Sequence, residues 1–295
     1  MDRPPTRVRV PATSANLGPG YDAFGVALTR HLVAEATARD DTRVRTVGEG
    51  AGEVATGDDN LVWASLAAFC EAHEVTTPDI GLRVDNRIPL ERGLGSSSAA
   101  IVAGLVLGRA VTGVPVGDRD LVALATRIEG HPDNVVPALL GGVTVTATTG
   151  DGTLVVRRVQ PHARLRPVLL VPEQRQNTAA ARGVLPTEVA LATAADQAAR
   201  AGHVLGAFIG TWPIDVRLAG DHLHEPRRLE VMASTGALVA ELRADGHHCW
   251  LSGAGPAVAV AVPRAHPIEA LTAVARGHGF DVLALDWDLS GATAA

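Results

Sequence analysis

Polar and apolar positions alternate from the start of the chain. Residues 6–11, Thr-Arg-Val-Arg-Val-Pro, predict a strand with one buried face. Leu28–Arg39 and Arg43–Val47 follow as strands, and glycine-rich Gly48–Gly57 as a turn. Asp58-Asp59-Asn60 then opens an amphipathic helix over Asn60–Val75. Gly81–Ile88 is a strand. After it Ile101/Leu105 and Val102/Val106 recur four apart, which is helical spacing. Asp118–Glu129 is a further helix, and Asp133-Asn134 opens a short one after the turn at Pro132. Gly142–Thr148 and Leu154–Arg158 alternate as a hairpin pair. The segment from about Gln160 is taken as a boundary between halves, 1–160 and 161–295. In the second half Arg166–Val171 is a strand and Thr187–Thr211 an alanine-rich helical region. Cys249–Val262 reads as strand, glycine turn and strand, Ile268–Gly277 as a helix and Asp281–Leu285 as a strand. Gly291–Ala295 is expected to fray. The mixture is α+β.

Composition removes several functions. With 46% hydrophobic and 20% charged residues, the 295-residue chain has the make-up of a globular protein. A net charge of -6 leaves no basic footprint for nucleic acid. No run of 18 apolar residues predicts a membrane span. The start, Met1-Asp2-Arg3-Pro4-Pro5, lacks the apolar core of a signal peptide, so a cytoplasmic location is expected. Cys70 and Cys249 show no metal spacing. All 26 basic residues are arginine, which excludes a Walker-A lysine, a protein-kinase strand lysine and a Schiff-base lysine. If the chain handles a nucleotide, it must use backbone donors, serines, arginines and a metal ion.

Pro89-Leu90-Glu91-Arg92-Gly93-Leu94-Gly95-Ser96-Ser97-Ser98-Ala99 has the parts for that. The run leads into the helix that carries Ile101 and Leu105, so its glycines and serines sit at a helix N-terminus. There the first N–H groups lack partners inside the helix, and the helix dipole adds positive charge. Gly93 and Gly95 let backbone approach a ligand closely. The serine hydroxyls can cap the helix, bind phosphate oxygens or ligate a cation. The same residues would also serve as a plain serine-capped helix. Three serines beside two glycines favour an anion site for phosphate.

Gly93-Leu94-Gly95-Ser96-Ser97-Ser98-Ala99 resembles the phosphate loop of the GHMP small-molecule kinases, with Glu91 where a small residue is usual. Four other segments, in family order, resemble the homoserine kinases of that group. They are Pro11–Asp22 with its Asn16-Leu17-Gly18-Pro19-Gly20-Tyr21-Asp22 loop, Glu129–Gly142 with Glu-Gly-His-Pro-Asp-Asn, Gln176–Pro186 around Arg182, and Leu223-His224-Glu225-Pro226-Arg227-Arg228. Leu251-Ser252-Gly253-Ala254-Gly255-Pro256 resembles the third GHMP motif. On their own residues these are turn formers, a capped helix with a satisfied loop histidine, a solvated arginine and a glycine turn.

The resemblance implies a two-domain α+β fold, its first half like ribosomal protein S5 domain 2 and its second ferredoxin-like, with the site between them. It implies transfer of the γ-phosphate of ATP to L-homoserine, a step toward threonine. Residues Pro89–Ala99 and Asn60 would hold ATP, with Asn60, Leu61, Val62 and Trp63 near the adenine. Ser97 and Glu129 would hold magnesium (Mg2+). Asn16, Asp22, His131, Arg182, Arg228 and Gly255 would bind homoserine, and Asn134 would orient its hydroxyl, so Asn134, Glu129 and Ser97 are the catalytic candidates. Arg227 stands where Tyr is usual, and either Arg227 or Arg228 could face the substrate. A homodimer follows by family analogy. The alternatives are another GHMP kinase of mevalonate or shikimate type, and a non-catalytic ligand sensor on the same fold.

Overall fold

The opening alternation does form a strand, but it is longer than the pattern. In the computed structural model β1 is Arg7–Ala15, whose first four positions alternate exposed and buried while everything from Pro11 on is buried. Thr13, Ser14 and Asn16 are interior polar residues, so the period disappears where the chain enters the middle of the molecule. Residues 6–176 and 178–295 are described, with residues 178–180 as backbone only. Met1–Pro5, Asn177 and the side chains of motif residues Thr178, Ala179 and Ala180 lie outside that description.

After β1 come β2 (Phe24–Thr37), β3 (Val44–Gly48), α1 (Leu61–Ala72), β4 (Gly81–Asn86), α2 (Ser96–Thr112), α3 (Asp118–Glu129), α4 (Pro132–Leu140), β5 (Val143–Thr148) and β6 (Leu154–Val159). The second half supplies β7 (Leu165–Pro172), α5 (Thr178–Gly183), α6 (Leu191–Phe208), α7 (Glu225–Val231), α8 (Ala233–Ala244), β8 (His248–Leu251), β9 (Val258–Pro263), α9 (Glu269–Gly277), β10 (Phe280–Ala284) and β11 (Thr293–Ala294).

The first sheet runs β11-β1-β2-β4-β3, with the β5–β6 hairpin attached to β2. Strand β2 is long enough to serve two partners on one edge. Phe24–Val26 pair with β5, and Leu32–Thr37 pair with β4. Helix α2 is apolar nearly all round, with ten buried positions from Ser98 to Gly108, and packs between α1 and β1–β2. The second sheet has the order β10-β7-β9-β8, all antiparallel. Numbered within that half the order is 4-1-3-2, with helices between its first and second and its third and fourth strands, a ferredoxin-like arrangement. Its core joins Val168, Leu170, Val258 and Val260 to Leu238 and Leu242 of α8 and Leu271 of α9.

Three expectations are corrected. The region expected to be helical over Thr187–Thr211 forms α6 only from Leu191 to Phe208. The strand expected over residues 6–11 does not stop there, since β1 continues to Ala15. The end of the chain does not fray. β11 pairs with β1 through Val8↔Ala294 and Arg9↔Thr293, and Asp288 accepts from the N–H groups of Ser290 and Gly291 at 2.9 and 2.8 Å. A two-residue strand is too short to show a period, so only the distant pairing reveals it.

Candidate active site

A cleft of about 790 Å³ is lined by residues of both halves of the chain. Its middle is the start of α2. Gly95 occupies the N-cap position with φ 66°, and no side chain caps the helix. Gly93 has φ 72°. Both positions are also crowded. A Cβ on Gly93 would lie 2.0 Å from the Ser252 carbonyl oxygen, and one on Gly95 would lie 1.9 Å from Thr13 Oγ1. The alternative of a serine-capped helix is not what forms. Ser97 and Ser98 turn sideways and donate to the same oxygen, Glu129 Oε1, at 2.7 and 2.8 Å. The first-turn N–H groups of α2 therefore stay available to a ligand.

This loop is held from both sheets. Trp250 Nε1 donates to Ser14 Oγ at 3.0 Å, the Ser14 and Ser252 hydroxyls lie 2.7 Å apart, and Ser252 Oγ donates to the Gly93 carbonyl at 2.6 Å. Beside it Thr13 Oγ1 donates to Asn134 Oδ1 at 2.7 Å. Pro132 starts α4 and leaves His131 extended at its N-cap, which sets the ring beside Asp133, with Nδ1 2.5 Å from Oδ1. Burial pulls the His131 pKa down. The bond to Asp133 and the charges of Asp133 and Glu129 outweigh it and raise the pKa above its ordinary value. Asn134 Nδ2 reaches the same Asp133 oxygen at 3.4 Å.

One end of the cleft is charged. Asn16 and Asp22 adopt left-handed backbone, with φ 74° and 55°, a region Asn and Asp tolerate better than most residues. Asn16 Oδ1 accepts from the Asp22 N–H at 3.2 Å, and its Nδ2 donates to the Gly253 carbonyl at 3.0 Å. Arg182 Nη2 donates to Asp22 Oδ1 at 2.8 Å and Nη1 to Asp22 Oδ2 at 3.2 Å. Arg228 is buried. Its Nε donates to the Ala181 carbonyl, and its Nη1 to the Gly253 carbonyl and to His224 Nδ1, each at 3.1 Å. Burial lowers its pKa. His224 is fully buried, and burial lowers its pKa too. Because His224 Nδ1 accepts from Arg228, Nε2 carries the proton toward the Gly18 carbonyl at 3.3 Å. Arg227 points away, exposed and paired with Glu230 at 3.3 Å. The choice left open by the sequence thus resolves to Arg228 as the arginine on the cleft wall.

At the other end Asn60 caps α1. Its Oδ1 accepts from the Val62 N–H at 3.0 Å and its Nδ2 donates to the Ala55 carbonyl at 2.7 Å. Val54, Leu61, Val62 and Val84 add an apolar wall. Arg92 spends its guanidinium on the Leu90, Pro172 and Glu173 carbonyls at 3.0, 2.8 and 2.6 Å.

Asn16, Asp22, Asn60, Leu90 through Ser97, Glu129, His131, Asn134, Arg182 and Arg228 all line this one cleft. Pro89, Ser98, Ala99 and Gly255 do not. Ser98 is buried with its hydroxyl on Glu129, and Gly255 closes a turn by donating its N–H to the Ser252 carbonyl at 2.8 Å, leaving Gly253 and Ala254 on the wall. Sequence reasoning missed Thr13, Ser14 and Trp250, which act through contacts far along the chain. It also missed the mouth pair, in which Arg175 forks onto Glu53 at 2.5 and 3.0 Å. Among the described residues no group of three His, Cys, Asp or Glu side chains could hold a metal ion. Ser97 and Glu129 form an all-oxygen donor pair on the cleft wall, which suits a hard cation shared with phosphates.

A bare helix N-terminus, a serine–carboxylate pair and a second charged end in one interdomain cleft define a small-molecule kinase of the GHMP class. The family model of the GHMP kinases N terminal domain matches residues 60–142. The chain is 40% identical over 258 residues to homoserine kinase of Clavibacter michiganensis subsp. michiganensis, covering 86% of this chain and 81% of that protein. It is 36% identical to homoserine kinase of Desulfitobacterium hafniense, covering 89% of each. The crystal structure of homoserine kinase from Cytophaga hutchinsonii superposes with a TM-score of 0.81 at 23% identity, covering 100% and 99% of the two chains, a likeness of fold. The chain belongs to the homoserine kinase family. No helix among the described residues is long and apolar enough to cross a membrane.

Proposed function

We propose that this chain transfers the γ-phosphoryl group of ATP to the hydroxyl of L-homoserine, giving O-phospho-L-homoserine. The observation that carries the reading is the charge pattern at the charged end of the cleft: Asp22 paired with Arg182, and Arg228 beside them. A zwitterionic amino acid complements that set, whereas shikimate and mevalonate carry no ammonium group.

The N–H groups at the start of α2 would take the phosphates, and Asn60 with Leu61 and Val62 the base. Ser97 and Glu129 would hold Mg2+, which neutralises charge on the phosphate oxygens. Asn134, locked by Thr13 and close to Gly95, would orient the substrate hydroxyl. Asp133 is already bonded to His131 and Asn134, which favours a positioning role over that of a base. Phosphoryl transfer through a loose transition state asks little of the nucleophile. We also take the division at 160/161 as the domain boundary. Its support is that β6 ends at Val159 and β7 begins at Leu165, with β11 lent back to the first sheet.

The test is turnover of ATP with Mg2+ against homoserine, mevalonate and shikimate. Homoserine should be phosphorylated with by far the highest kcat/KM. Preference for either other alcohol, or no turnover with any, would overturn the assignment.

A further inference from the structure

The fork of Arg182 is already filled by the chain itself. Its two terminal nitrogens donate in parallel to the two oxygens of Asp22, at 2.8 and 3.2 Å, as a guanidinium grips a ligand carboxylate. Tyr21 Oη stands 3.3 Å from Nη1. Asp22 is thus an internal carboxylate on the arginine that the proposed function gives to the carboxylate of an amino acid. The pair is reachable, since its side chains are 37% and 36% exposed. Arg228 is different. It is 2% exposed and held through Nε and Nη1, while its Nη2 has no partner among the described residues. Arg182 is therefore the arginine whose partner must change when a ligand arrives, and Arg228 is the fixed one.

We infer that substrate enters by ion-pair exchange: its ammonium takes Asp22, its carboxylate takes Arg182 together with the free Nη2 of Arg228, and the Asp22–Arg182 pair excludes ligands that bring only one of the two charges. This rests on the homoserine reading above. A carboxylate without an ammonium must strip Arg182 from Asp22, and it leaves Asp22 unpaired beside its own charge. An amine without a carboxylate leaves Arg182 unpaired in the same way. Only a ligand with both charges replaces one ion pair by two. Selectivity then comes from the unpaired charge that a wrong ligand creates, as well as from contacts to the right one.

The test uses the full chain, homoserine, and its deaminated analogue 4-hydroxybutanoate. Asp22→Asn removes the internal carboxylate and suits the left-handed backbone at φ 55°, which Asn tolerates. Homoserine should bind Asp22→Asn roughly ten- to a hundredfold more weakly, the loss of a bond to a charged group. The analogue should bind it more tightly, by roughly two- to fivefold, the worth of a partly exposed ion pair. Dissociation constants would be read by ligand-observed NMR titration, with ATP affinity and the melting temperature as checks on folding. The same step in an Arg182→Gln background should give the analogue a clearly smaller gain, because the pair to be broken is gone and only repulsion by Asp22 is relieved. No gain for the analogue in Asp22→Asn would overturn the exchange, and so would an equal gain in both backgrounds, which would be plain repulsion by Asp22. A wild-type chain that turns over homoserine while failing these tests sinks only the exchange. A wild-type chain that does not phosphorylate homoserine sinks both readings.

Discussion

At the scale of single residues, neighbours decide what a side chain is for. Arg227 and Arg228 are adjacent and chemically identical, yet one faces Glu230 and solvent while the other is bound by Ala181 and Gly253, 47 and 25 positions away in sequence. Nothing in Glu-Pro-Arg-Arg distinguishes them, because the deciding carbonyls lie in other segments. Removing one partner of a buried charge pair costs roughly 2–5 kcal/mol, or on the order of 30-fold and upward in affinity. Steady-state kinetics should show the KM for homoserine rising by at least ~30-fold in Arg228→Ala and by less than about threefold in Arg227→Ala. Equal effects would remove Arg228 from the carboxylate subsite. His248 gives a prediction of another kind. It is buried on β8, neither ring nitrogen has a hydrogen-bond partner among the described residues, and burial pushes its pKa down to about 3. The unfolded chain protonates this ring below its ordinary pKa of ~6.5 and the folded chain does not. Stability is therefore full above that pH and falls as the pH drops from ~6.5 toward 3. Between pH 7.5 and 5 the loss from this residue is about 2 kcal/mol. In urea unfolding, His248→Leu should lose less stability over that interval by about this amount. An unchanged pH slope in the variant would show that His248 is not the group responsible.

At the scale of elements, the phosphate loop was legible because it is local. Two glycines, three serines and an apolar helix within one short run announce a helix N-terminus. The crowding around it was not legible. Gly95 was expected to matter for the approach of phosphate, but its missing Cβ also makes room for the Thr13 hydroxyl, which in turn holds Asn134. The strand pattern of β1 likewise stops at Pro11, where every position becomes buried, so neither Thr13 nor Ser14 could be read as part of a site. These contacts change what a substitution should do. Gly95→Ala places a side chain at φ 66° and pushes Thr13 away, so the damage reaches both substrates. We expect the KM for ATP and for homoserine to rise together, kcat to fall, and stability to drop by roughly 1–3 kcal/mol from backbone strain. An effect confined to ATP would mean that Thr13 can retreat without disturbing Asn134.

At the scale of the whole molecule, the two halves are joined through the site. The chain of hydrogen bonds from Trp250 to Ser14 to Ser252 to the Gly93 carbonyl links β8, β1, the glycine turn after β8 and the phosphate loop. This joint could not be read in the sequence, since Ser14 and Ser252 lie 238 positions apart and each passes for a residue at a strand end. The ring and the hydroxyls are buried, so each depends on its neighbour for a partner. Ser14→Ala leaves the Trp250 N–H buried and unpaired, which costs about 1–3 kcal/mol. It also frees Ser252 to turn, so ATP should bind more weakly although Ser14 does not line the cleft. Trp250→Phe removes the stranded donor while keeping an aromatic ring against Phe208. The double variant should therefore be more stable than the sum of the single losses allows, by roughly 0.5–1.5 kcal/mol, while ATP affinity stays low because Ser252 still lacks Ser14. Urea unfolding and calorimetric titration of ATP on the four proteins of the cycle separate the two effects. Additive stabilities would mean that Trp250 finds another partner. Wild-type ATP affinity in Ser14→Ala would mean that Ser252 holds the Gly93 carbonyl without help from Ser14.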